Sequence, residues 1–174
     1  KKSGRVAAEG LALVKSDASK AIILELNCET DFVSSSDKFQ KLIADCLDLC
    51  FEKEPATVEE AQAVCADLMA EATIAMGEKF QLRRYTILHA KDGEAFGSYI
   101  HMHGKIAALV VVSKDLGDGN RGLAMTVASA APEYLTLADV PAADRARELA
   151  IAEKEVAEDP KLQAKPENVK AMIA

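Results

Sequence analysis

Two apolar-rich runs separated by a short polar turn occupy residues 10–28, and from residue 36 apolar positions recur at spacings of three and four. Gly10-Leu11-Ala12-Leu13-Val14-Lys15 and residues 20–28 are apolar-rich runs flanking the polar turn Ser16-Asp17-Ala18-Ser19, which predicts a hairpin over residues 9–28. In its second arm Ile22, Leu24, Leu26 and Cys28 share one face. Ile23, Glu25 and Asn27 make the other face mixed, as expected for a strand covered by helices on one side. Residues 36–52 then carry Phe39, Leu42, Ile43, Cys46, Leu47 and Cys50 as one helical stripe, read as core. The run Ser34-Ser35-Ser36-Asp37 reads as the start of that helix, with Ser34 and Asp37 at capping-box spacing. Pro55 breaks the chain. Thr57-Val58-Glu59-Glu60 is a second capping box, opening a helix with Ala61, Val64, Cys65, Leu68 and Ala72 inward and Gly77 as its C-cap.

Three further strands are predicted at about 79–90, 95–103 and 105–113, separated by Lys91-Asp92-Gly93 and by Gly104. The last contains Ile106-Ala107-Ala108-Leu109-Val110-Val111-Val112, apolar enough to be central. With the hairpin these strands give a mostly antiparallel sheet covered by helices 36–52 and 57–77, an α+β fold. Residues 115–120, polar and glycine-bearing, are the best boundary, dividing an α+β core over 1–113 from a helical segment over 114–174. In that segment residues 121–131 are Ala-rich and Pro141 stands as a first-turn proline for a helix to about 157. Pro160 and Pro166 bracket a break before the closing helical run.

At 174 residues the chain can bury one good core or two small ones. Its 49% apolar and 28% charged residues exclude disorder throughout. A net charge of −7 argues against nucleic acid as a partner and for protein. No run approaches the roughly eighteen apolar residues needed to span a bilayer. Lys1-Lys2-Ser3-Gly4-Arg5 does not lead into a signal-peptide core, and the missing initiator Met reads as a trimmed start.

Chemistry-bearing residues are few. Cys28, Cys46, Cys50 and Cys65 read as reduced core thiols, because paired C-x-x-C or Cys/His zinc spacing is lacking. His101 and His103 are set to alternate onto one strand face with Tyr99, and read as a polar face rather than a metal pair. Glu29 and Asp31 suggest paired carboxylates, but no nucleophile accompanies them. No G-x-x-x-x-G-K-[ST] loop is present to cradle a nucleotide. The most informative stretch is Asn27-Cys28-Glu29-Thr30-Asp31-Phe32-Val33, which puts an acid beside a large aromatic on a strand-to-helix connection. The residues alone leave two readings of it: an aromatic folded back into the core, or one presented for binding.

The wording NCETDFVSS closely resembles the signature of the elongation factor Ts family, which releases GDP from elongation factor Tu. Gly77-Glu78-Lys79-Phe80-Gln81-Leu82-Arg83-Arg84, Gly97-Ser98-Tyr99-Ile100-His101, His103-Gly104-Lys105-Ile106 and Ala131-Pro132-Glu133-Tyr134-Leu135 resemble further family motifs in family order. Two positions depart: Ala107 stands where the family usually has glycine, and Thr126 where many members have histidine. The resemblance implies a non-enzymatic guanine-nucleotide exchange factor of translation elongation, without cofactor, whose partner is elongation factor Tu. It implies no contact with nucleic acid or membrane, no nucleotide held directly, and a bacterial-type cytoplasmic location, with an organellar one left open. It names Thr30, Asp31, Phe32 and Val33 as the contact that disturbs the partner's magnesium site, Phe32 as wedge and Asp31 as polar contact. Ile106, Ala107 and Thr126 are its secondary partner contacts. It further implies a core fragment without the family's N-terminal helical domain, with the second core subdomain and coiled-coil excursion present in part. The alternatives are a non-exchanging protein-interaction module of the same fold and, more distantly, a thiol or metal enzyme.

Overall fold

Strands β1 (Glu9–Ser16) and β2 (Lys20–Cys28) pair antiparallel from Glu9↔Cys28 to Ser16↔Ala21. Asp17 closes their turn, its Oδ1 accepting from Ser19 N at 2.7 Å, the Ser19 hydroxyl at 2.8 Å and Lys20 N at 2.9 Å. Those donors hold its carboxyl below the usual carboxylate range. The computed structural model describes residues 6–163 and 165–173. Two compact units divide between Ala131 and Pro132.

In the first unit β3 (Gln81–His89) pairs antiparallel with the free side of β2, giving the order β1-β2-β3. A bulge beside Glu25 lets two consecutive arginines reach one carboxylate: Arg84 Nε donates to Glu25 Oε2, and Arg83 lies 3.7 Å from Oε1. Ile22, Leu24, Leu26 and Cys28 are buried together, as their alternation predicts, and pack with Phe39, Ile43, Cys46 and Cys50. That second group lies on a 17-residue helix, Asp37–Lys53.

The start of this helix corrects the expectation at Ser34. The chain first makes a four-residue turn of helix, α1 (Asp31–Ser34), so the long helix α2 (Asp37–Lys53) is capped by Ser36, whose Oγ accepts from Phe39 N at 3.3 Å. Ser34 is spent on α1, where its buried hydroxyl donates to Asp31 O at 3.1 Å. Thr57 does cap the next helix, accepting from Glu60 N at 3.2 Å, while Glu60 reaches back to Ala56 N rather than to Thr57 N. The single helix expected to Gly77 is two, α3 (Val58–Val64) and α4 (Ala66–Met76), broken at Cys65 where ψ rises to 3°. The break seats the Cys65 sulfur 3.6 Å from Cys50 Sγ and 3.7 Å from Cys46 O. Gly77 ends α4 at φ +77°, the left-handed C-cap that glycine adopts without strain.

Strands β4 (Ala95–His101) and β5 (Ile106–Val112) pair with each other in a separate two-stranded sheet. The expectation that 106–112 is a central strand is therefore corrected: β2 is central, and the apolar run in β5 packs against β1 and helix α5 (Asp118–Ala130). His103 is corrected as well. It leaves the strand for a 3-10 turn, Met102–Gly104, with Met102 at φ 49° and His103 at φ 55°, so it does not share the Tyr99 and His101 face.

The second unit is helical. Its 3-10 turn Leu137–Asp139 carries a reciprocal Thr136–Asp139 capping box. Pro141 leads into α6 (Ala142–Glu158), followed by α7 (Pro160–Gln163) and α8 (Glu167–Ile173). Among the described residues of this unit Val156 is the buried apolar one, and the Tyr134 hydroxyl donates to Asp144 at 2.9 Å.

Candidate partner-binding edge at the end of the central strand

The end of β2 turns directly into α1, and each residue there has a distinct physical job. Cys28 is fully buried, its thiol donating to Thr30 O at 3.2 Å; burial, with the negative charge of Glu78, pushes it up to about 11. Thr30 is the N-cap of α1, its Oγ1 accepting from Val33 N at 3.3 Å. Val33 turns inward against the core, and its carbonyl accepts the Ser36 hydroxyl at 2.7 Å. Asp31 and Phe32 face out, with Phe32 84% exposed.

The residues alone left open an aromatic folded into the core; the structure places Phe32 outside it. The core aromatics beneath are Phe39 and Phe80, whose ring centroids lie 5.9 Å apart. Phe32 thus protrudes from a short helix tied on both flanks.

A second tie comes from a distant part of the chain. Glu78, just after the Gly77 cap, accepts through Oε2 from Glu29 N at 2.9 Å and Thr30 N at 3.2 Å, and through Oε1 from the Thr30 hydroxyl at 2.6 Å. Glu29 answers with Oε1 accepting from Lys79 N at 2.8 Å. Glu29 is therefore engaged in holding the backbone at Lys79.

The remaining expected contacts lie on other elements. Ile106 and Ala107 open β5 and line a cleft of about 540 Å³ bordered by Gly10, Glu25 and Asn27. Thr126 is exposed on α5, its hydroxyl donating to Gly122 O at 3.1 Å. Sequence reasoning missed Ile74, which is 86% exposed on α4 one turn before Glu78. Its signal was there: Ile74 falls off the inward stripe that includes Ala61, Cys65 and Ala72.

Elsewhere, hydrogen bonding to Cys65 and burial push Cys46 and Cys50 above the usual thiol range, and the same hydrogen bonds hold Cys65 below it. All four cysteines are buried with free thiols. Tyr99 and His101 join through a 3.1 Å hydrogen bond, with the Arg121 guanidinium 5.2 Å from the Tyr99 ring. Among the described residues no three His, Cys, Asp or Glu side chains converge as a metal site, and no helix is long and apolar enough to cross a membrane.

Comparison with known proteins agrees with these motifs. The family model described as Elongation factor TS matches residues 29–174. Elongation factor Ts of Lactiplantibacillus plantarum is 42% identical, the match covering 97% of this chain and 59% of that protein. The elongation factor Ts of Levilactobacillus brevis is 41% identical over 82% of this chain and 51% of its own length, and that of Limosilactobacillus reuteri 40% over 97% and 59%. The chain thus spans about 59% of the length of the first of these relatives. With the family model covering most of the chain and the motifs in family order, the chain belongs to the elongation factor Ts family.

Proposed function

We propose that this chain promotes release of GDP from elongation factor Tu during translation elongation, with Thr30, Asp31, Phe32 and Val33 as its active edge. The observation that carries the reading is Phe32: a large aromatic, 84% exposed, on a helix fixed by Thr30 at one end and Ser36 at the other. An exposed aromatic held on a rigid hook loses little entropy when it inserts between elements of a partner. Phe32 acts as the wedge, and Asp31 as the polar contact beside it that helps disturb the magnesium ion bridging the nucleotide phosphates. Ile106, Ala107 and Thr126 belong to a secondary surface.

No bond is made or broken, and this chain holds no nucleotide itself. The requirement is differential binding: nucleotide-free partner must be held more tightly than the GDP-bound form, and GDP weakens the complex by the same factor. Each tenfold gain in release needs about 1.4 kcal/mol. Burying one Phe supplies roughly 1.5–3 kcal/mol, so Phe32 accounts for about one or two decades, and magnesium displacement with the other contacts supplies the rest.

The test is release of fluorescent GDP from purified elongation factor Tu with and without the chain. Acceleration that rises with chain concentration and saturates is expected. Binding to the partner without acceleration would replace this reading with the non-exchanging interaction module.

A further inference from the structure

The family motif around Gly77 and Glu78 has no part in the contact just proposed, yet Glu78 is joined to it through Thr30. The half-buried Glu78 carboxylate takes three donors from one dipeptide 48–49 residues away: the amides of Glu29 and Thr30 and the Thr30 hydroxyl. These amides lie where the β2 ladder has ended and α1 has not begun, and the Glu78 carboxylate is their acceptor. The hydroxyl matters more. It has a single proton and must also accept from Val33 N to cap α1. By taking that proton at 2.6 Å, Glu78 leaves the Thr30 lone pairs turned toward Val33 N, the orientation in which α1 starts.

We infer that Glu78 is a positioning residue for the exchange edge: its carboxylate orients the Thr30 hydroxyl and the 29–30 backbone, and so presents Phe32 in a preformed pose. This rests on the exchange reading above. Its physical basis is independent of it, since the bonds between residues 29–30 and 78–79 join the end of β2 to the residues that lead into β3. Where geometry is held by such a clamp, loss of the clamp costs turnover more than it costs folding, because misplacement of about 1 Å can cost up to about 100-fold in rate.

The experiment uses the full chain as wild type, Glu78→Ala, Glu78→Gln, Phe32→Ala and the Glu78→Ala/Phe32→Ala double variant. Amide hydrogen exchange reads the latch directly: in Glu78→Ala, protection at Thr30 and Val33 should fall by about tenfold or more while the β2 amide of Leu24 changes little. Unchanged protection at Thr30 and Val33 would overturn the inference. In GDP release, Glu78→Ala should lower the maximal rate with a smaller change in half-saturation, and Gln should recover part of the loss. Phe32→Ala should cost a smaller factor in the Glu78→Ala background than in wild type, because an unpositioned wedge has less to lose. Multiplicative losses would mean that Glu78 acts apart from Phe32, and would overturn the inference. A wild-type chain that fails to release GDP sinks the exchange reading instead, and the hydrogen-exchange arm then decides alone whether Glu78 fixes α1. Should Glu78→Ala not fold, Glu78→Gln carries both readouts.

Discussion

A β-carbon on Gly97 would stand 2.1 Å from the carbonyl oxygen of Asn120, closer than any side chain allows. Gly97 lies in β4 and Asn120 in the first turn of α5, so the contact fixes how closely that helix sits on the second sheet. Asn120 has little freedom to retreat. It is buried, its Oδ1 accepts from Leu116 N at 3.0 Å, and its Nδ2 donates to Asp115 at 2.8 Å.

Gly97→Ala should therefore destabilise the chain by about 1–3 kcal/mol, the usual cost of overpacking. Urea unfolding of the two proteins measures it. A midpoint equal to that of wild type would mean that α5 can shift away, and that the close approach is not needed.

Cys28 makes stability fall in alkali. Its thiol is pushed from about 9 to about 11 in the folded chain, so below pH 9 it is neutral in both states and contributes nothing to pH dependence. Above pH 9 the unfolded thiol ionises first, and stability drops until the folded thiol ionises near pH 11, at up to about 1.4 kcal/mol per pH unit. Unfolding curves between pH 8.5 and 10.5 should show a steeper decline for wild type than for Cys28→Ala; equal slopes would contradict the burial of this thiol.

The chain should bind no GDP by equilibrium dialysis, because no phosphate-cradling loop is present in its sequence. Binding in the micromolar range would mean that this chain, and not a partner, holds the nucleotide.

How far the sequence carries depends on whether a feature is local. The hairpin, the stripe from Phe39 to Cys50 and the Gly77 cap were legible because period, turn and cap chemistry are written in adjacent residues. The break at Cys65 was not, since neither Gly nor Pro marks it and it is set by where Cys46 and Cys50 lie. Three serines in a row each suit a helix cap; Ser36 takes the role only because Thr30 has already started α1. The apolar run of β5 suggested a central strand, yet in the fold Ala108 is its buried residue while Ile106 and Val111 are exposed, because which neighbours cover a strand is not written in its own residues. At the candidate site the family motif drew attention to Glu78, yet its bonds to Thr30 span 48 residues and no spacing rule reports them. The exposure of Phe32 was likewise not legible in the residues alone, which favoured an aromatic folded back into the core.

The central claim is that Phe32 is a wedge for a partner and not a part of the core, and the most direct measurement pairs two readouts on Phe32→Ala. At 84% exposure its truncation opens no cavity, so a denaturant melt should show a loss below about 1 kcal/mol, whereas a buried Phe would cost about 3–5 kcal/mol. Stopped-flow release of fluorescent GDP from elongation factor Tu should at the same time lose about one to two decades of acceleration, the share one buried Phe supplies. A stable variant with slow release is the predicted result; normal release from Phe32→Ala, whatever its stability, would contradict the account.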